Sequence, residues 1–120
     1  MENRFVISLI SLLFLTACYQ PERDCKSFKT GEFTFEYEVD GVVKKSSFKR
    51  TEKYSIEHYE NVIDTASVRW LNNCEFVVEP SDKKTPIHYK ILSTTPNSYI
   101  FEYGLVGKSN KGKGTAFKTN

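Results

Sequence analysis

From Gly31 onward the chain alternates apolar and polar residues with a period of two. Phe33, Phe35, Tyr37 and Val39 fall on one side and Thr34, Glu36, Glu38 and Asp40 on the other, the pattern of a half-buried strand. Asp40-Gly41 is a two-residue hairpin signal, and Val42 to Thr51 is the returning strand. Tyr54, Ile56 and His58 alternate with Ser55, Glu57 and Tyr59 in a third strand, ended by a turn at Glu60-Asn61. Val62 to Leu71 is a fourth, with Ala66, Val68 and Trp70 facing inward. Asn72-Asn73 turns the chain, since Asn tolerates left-handed backbone, and Cys74 to Glu79 is a fifth strand. After a loop from Pro80 to Thr85, Ile87, Tyr89 and Ile91 mark a sixth strand, closed off by Pro96-Asn97. Tyr99, Phe101, Tyr103 and Leu105 mark a seventh, Gly107 to Gly114 reads as a loop, and Thr115 to Lys118 as a short closing strand.

No stretch holds a helical period. The pattern therefore predicts an all-β fold: an antiparallel up-and-down meander of seven or eight short strands. So many strands in so short a chain leave exposed edges unless the sheet closes or curls, so a small closed or strongly curled barrel is expected. A β-sandwich is the alternative.

The first thirty residues break the pattern. An apolar run from Phe5 to Leu15 follows a short basic start. As a helix it would rise about 16 Å, roughly half of a hydrocarbon core, which suits a signal peptide better than a membrane span. It ends in Leu15-Thr16-Ala17-Cys18, which resembles the bacterial lipobox. Small side chains before the cysteine let the extended backbone enter a peptidase, and the thiol is the atom that takes the lipid. The resemblance implies cleavage between Ala17 and Cys18, diacylglycerol on Cys18, and fatty acylation of the new amino terminus. Several acyl chains on one residue anchor a protein stably, whereas one myristoyl chain binds reversibly. Residues 1–17 then form the signal peptide, 18–30 a lipidated polar tether, and 31–120 a single domain. Tyr19 stands where an Asp would signal inner-membrane retention, so by analogy the outer membrane is the expected site in the cell envelope.

Composition sharpens this. Aromatic residues make up 14% of the chain, a share that fits strands. The net charge of +2 comes from well-mixed acids and bases, which gives no sign of nucleic-acid binding. With Cys18 assigned to lipid, Cys25 and Cys74 remain. An oxidising compartment makes their disulfide the expected pairing, with two free buried thiols as the alternative.

The chemistry-bearing residues are sparse. Gly107-Lys-Ser-Asn-Lys-Gly-Lys-Gly114 imitates a phosphate-binding loop but has glycine where the metal-binding hydroxyl belongs, and too few residues follow for the required helix. A flexible hairpin loop is the better reading. The two histidines, His58 facing inward and His88 outward, lack the spacing of a metal site. No nucleophile elbow or acid–base pair stands out, so no catalytic residue, metal or cofactor is expected, and the chain reads as a non-enzyme. Lys44, Lys45, Lys49, Arg50 and Lys53 read as a solvated strand face or as a surface for anionic head groups. Seven aromatics, Phe33, Phe35, Tyr37, Trp70, Tyr89, Phe101 and Tyr103, either fill the core or line a cavity for a small apolar ligand. Filling is the expectation.

Three segments carry a resemblance: the head from Cys18 through Cys25, the run Val68-Arg-Trp-Leu-Asn-Asn-Cys-Glu-Phe76, and the tail from Ile87 to Gly114. They are similar to small lipoproteins of Bacteroidota, particularly flavobacteria, a group without an established activity whose relatives are described as lipocalin-like or calycin-like barrels. Some members bear the label DNA topoisomerase IV. That enzyme would need a far larger chain, a tyrosine site set up for DNA cleavage and a cytoplasmic address, and none of these is visible here. The resemblance implies an anchored envelope protein acting through an envelope protein partner or in a structural role. The alternative is a carrier of a small apolar ligand.

Overall fold

The computed structural model describes residues 23–39, 41–82 and 84–119, the side chains of 37–39 excepted. The expected signal peptide, its cleavage point at Ala17 and Cys18, and the first part of the tether lie outside the described residues. A short 3-10 helix, Cys25–Phe28, precedes eight strands. These are β1 (Gly31–Val39), β2 (Val42–Arg50), β3 (Tyr54–Tyr59), β4 (Val62–Trp70), β5 (Glu75–Pro80), β6 (Ile87–Thr94), β7 (Ser98–Leu105) and β8 (Gly112–Lys118). Each strand pairs antiparallel with the next, and β8 returns to pair with β1, so the sheet is a closed up-and-down barrel. Closure leaves no strand pair along the wall without a neighbour, which is the physical advantage the short strands demand.

The turns follow their residues. Gly41 has φ +79°, and Glu60 and Asn61 have φ +46° and +67°, the left-handed pair a tight hairpin needs. β8 begins at Gly112, earlier than the glycine pattern suggests, because two glycines belong to the strand. Gly112 pairs with Tyr103 and Gly114 with Phe101. A Cβ on Gly114 would lie 2.7 Å from Cζ of Phe101, and one on Gly112 would lie 2.6 Å from Cζ of Tyr103. The rings of β7 thus lie across the bare backbone of β8, which lets the wall bend sharply where the barrel closes. A bulge between Ile91 and Ser93 adds a further bend between β6 and β7.

The barrel has two unlike poles. At one, the 3-10 helix inserts Phe28, which is fully buried against Phe33 and Tyr99. Cys25 is joined to Cys74, in the β4–β5 connection, by a disulfide with an S–S distance of 2.00 Å. Asp24 N–H donates to Thr94 Oγ1 at 2.8 Å, and Lys118 Nζ to the Ser27 carbonyl at 2.8 Å. This pole is a closed floor. The core lies just above it, formed by Cys25, Phe28, Phe33, Ile91, Tyr99, Phe101 and Ala116. The other pole consists of the β1–β2, β3–β4, β5–β6 and β7–β8 connections, and nothing comparable plugs it among the described residues.

Candidate functional site: a cavity above a buried arginine

Arg50 ends β2 and points inward, because it shares strand parity with Phe48, which faces Phe33 across the β1–β2 ladder. It is 3% exposed. Its Nε donates to the Lys29 carbonyl at 3.0 Å, one terminal nitrogen to Tyr99 Oη at 3.1 Å, and the other to the Phe28 carbonyl. The guanidinium carbon lies 4.6 Å from the ring centre of Phe76 and 4.9 Å from that of Phe33, with Phe48, Tyr99 and Trp70 at 5.5, 5.6 and 5.7 Å. No carboxylate pairs with it among the described residues. Its charge is offset by carbonyl dipoles and by the negative faces of the rings. Arg50 therefore fastens the plug to the wall. Its place among solvated lysines in the sequence does not hold, because residues 48 and 50 fall on the inward side of β2.

Above this floor the interior is open, with a cavity of about 310 Å³. Phe35, Phe48, Phe76, Tyr89, Phe101 and Tyr103 form its aromatic wall, with Ala66, Val78, Pro80 and Ile87 on the β4–β6 side and Arg50 and Tyr99 at its base. Phe76 and Tyr89 are cross-strand neighbours with stacked rings, centres 5.0 Å apart and planes 6° apart. Burial pushes the Tyr89 phenol above its ordinary pKa, and the charge of Glu57 acts in the same direction.

The polar part of the lining comes from β3 and β4. Ser55, Glu57 and Asp64 face the cavity. Glu57 pairs with Phe48 on one side and with Asp64 on the other, so two carboxylates stand directly opposite each other on neighbouring strands. Ser46, 4% exposed, donates from Oγ to Glu57 Oε1 at 3.0 Å. Neither carboxylate forms an ion pair among the described residues.

The chain matches no family model, no curated protein and no solved structure.

The aromatics singled out in the sequence divide by height in the barrel. Phe35, Tyr89, Phe101 and Tyr103 line the cavity. Phe33 is instead fully buried in the core beneath it. Trp70 sits at the floor, its ring 4.6 Å from that of Phe76 and under the ammonium of Lys29 at 5.0 Å. Its Nε1 is buried without a hydrogen-bond partner among the described residues. Tyr37 occupies a register position opposite Lys44, and its side chain lies outside the described residues. The interior thus keeps a cavity, in contrast to the solid core the aromatic content suggests.

His58 is exposed on the outer face, since the parity that turns Glu57 inward turns His58 out. His88 also faces outward, and its Nε2 lies 3.1 Å from Glu75 Oε1. The two histidines are on β3 and β6, which are not neighbours. The Asn72 amide donates to Glu75 Oε2 at 2.8 Å, and this bond holds the Glu75 carboxyl below its ordinary pKa, assisted by the charge of His88. No group of three or more His, Cys, Asp and Glu is placed to hold a metal ion among the described residues. Arg50, Ser55, Glu57 and Asp64 are the site residues that sequence reasoning missed. The signal for them was strand parity: once Phe48 is inward, Arg50 and Glu57 must be as well.

Proposed function

We propose that this protein is a lipid-anchored barrel of the cell envelope that binds a small, largely apolar molecule. The cavity is the observation that carries the reading. Eight-stranded barrels are wide enough either to fill with side chains or to hold one small ligand. A volume of about 310 Å³ is at the low end of ligand pockets. At ~30 Å³ per water-sized unit it admits about ten non-hydrogen atoms. The lining, aromatic with a few polar groups, suits a ligand with an apolar body. The anchor rests on the lipobox-like Leu15-Thr16-Ala17-Cys18.

Calorimetric titration of the protein with 1-octanol tests the binding function. Saturable heat is expected, and Ala66→Trp, which fills the β4 side of the cavity, abolishes it. Absence of saturable heat, or equal binding by a folded Ala66→Trp variant, refutes the proposal. Cys18→Ala is expected to release the protein from membranes, and tight membrane association of that variant would count against the anchor.

Contact with an envelope protein partner is a second reading, supported by the exposed Val42, Val43, Val62 and Ile63 beside two hairpin turns. A photocrosslinker at position 62 tests it in native envelopes. A discrete crosslinked species is expected, and none is expected if the valines are only solvated.

A further inference from the structure

We infer that the molecule held in the cavity is a small amphipathic cation, with an apolar body inside the barrel and an amine or quaternary ammonium between Glu57 and Asp64. The inference rests on the binding function proposed above and adds the ligand's charge and orientation.

The first observation is a like-charged pair. Glu57 and Asp64 are direct cross-strand partners on one face, and like charges in that position destabilise a sheet. Neither has an ion pair among the described residues, whereas the other directly paired charges, Glu32–Lys49, Glu36–Lys45, Glu75–Lys90, Lys90–Glu102 and Glu102–Lys113, are all of opposite sign. A cation between the two carboxylates removes that repulsion. The buried Ser46 holds the Glu57 carboxylate in place through its 3.0 Å hydrogen bond, so the group is oriented before any ligand arrives.

The second observation is the wall itself. The rings of Tyr89, Tyr103 and Phe35 line the same cavity, and aromatic rings attract cations. The third is the order of charge along the barrel axis. The carboxylates lie toward the unplugged pole and are solvent-exposed, whereas Arg50 lies at the floor. Arg50 already donates to three oxygens at the floor and is surrounded by five rings. A carboxylate ligand would have to pass Glu57 and Asp64 to reach it. A cation with its tail down meets attraction at the mouth and apolar walls below.

Three probes of one length separate the possibilities: octylamine, 1-octanol and octanoate, each titrated calorimetrically into the protein at neutral pH. Octylamine is expected to bind about tenfold more tightly than octanol, the scale of one charge interaction near a protein surface. Octanoate is expected to bind more weakly than octanol. The amine's advantage over octanol, measured within each protein, should shrink as salt rises and vanish in the Glu57→Gln/Asp64→Asn double variant. Tighter binding of octanoate, equal binding of all three, or an amine preference that survives in the double variant overturns the inference and leaves the binding function intact. If none of the three binds to the folded protein, the binding function itself fails and takes the inference with it.

Discussion

Replacing Arg50 by methionine keeps a long flexible side chain at the floor and removes its charge and all its donors. The parent makes three charge-assisted hydrogen bonds there, to the carbonyls of Phe28 and Lys29 and to Tyr99 Oη. Such bonds contribute about 1.5–3 kcal/mol each, roughly 4–9 kcal/mol together. Against this, burying a guanidinium without a carboxylate carries a desolvation penalty of several kcal/mol, which methionine does not incur. What tips the balance is the pair of main-chain carbonyls left empty, at about 1–3 kcal/mol each where they are buried. A net loss of about 3 kcal/mol is expected, which lowers Tm by roughly 12–24 °C for a domain of this size. Urea denaturation with the disulfide intact measures it. Tyr99→Phe should lose about 1 kcal/mol on its own and almost nothing when added to Arg50→Met, because both changes delete the same bond. A loss below about 1 kcal/mol in Arg50→Met, or full additivity with Tyr99→Phe, would refute the view that this side chain fastens the plug.

Three further outcomes are expected. Cys25→Ala opens a loop of 49 residues and should lower stability by up to about 4 kcal/mol under oxidising conditions, and a melt identical to the parent's would remove the disulfide's role. Gly114→Val places a Cβ against the Phe101 ring and should destabilise by about 1–3 kcal/mol in chemical denaturation, and a midpoint equal to the parent's would show that the ring moves aside freely. The Tyr89 phenol has its pKa raised by burial, so its contribution is fully present below the unfolded value near 10 and is lost as pH rises toward the folded one. Stability should therefore fall above about pH 10, and Tyr89→Phe should flatten that fall in denaturation curves taken at increasing pH.

Much of the fold was legible because barrel strands leave a period-two record. Phe33, Phe35, Phe101 and Tyr103 declare their strands, and Asp40-Gly41 and Glu60-Asn61 declare the turns between them. The start of β8 was not legible, since glycines that accommodate the rings of β7 look the same in sequence as glycines of a flexible loop. The pairing of Cys25 with Cys74 followed from counting thiols. The site was harder to read. Hydropathy assigns inward faces by apolar content, and that works for β4, where Ala66, Val68 and Trp70 do face in. It fails on β3, whose inward face carries Ser55 and Glu57 because it borders the open cavity, while Ile56 and Tyr54 lie outside. Arg50 was hidden by its neighbours: a cation in a run of lysines looks solvated until the register places it opposite Phe33's own row. Which rings fill the floor and which leave space is a matter of height along the axis, and a one-dimensional pattern does not record height.

The chain enters the barrel through the 3-10 helix at the floor, and β8 runs back down to the same pole, where Thr119 N–H donates to the Glu32 carbonyl at 2.9 Å. The first and last described residues, Arg23 and Thr119, therefore lie on the side opposite the opening. A linkage made at Arg23 or Thr119 would hold the barrel by its base, on the face away from the rim.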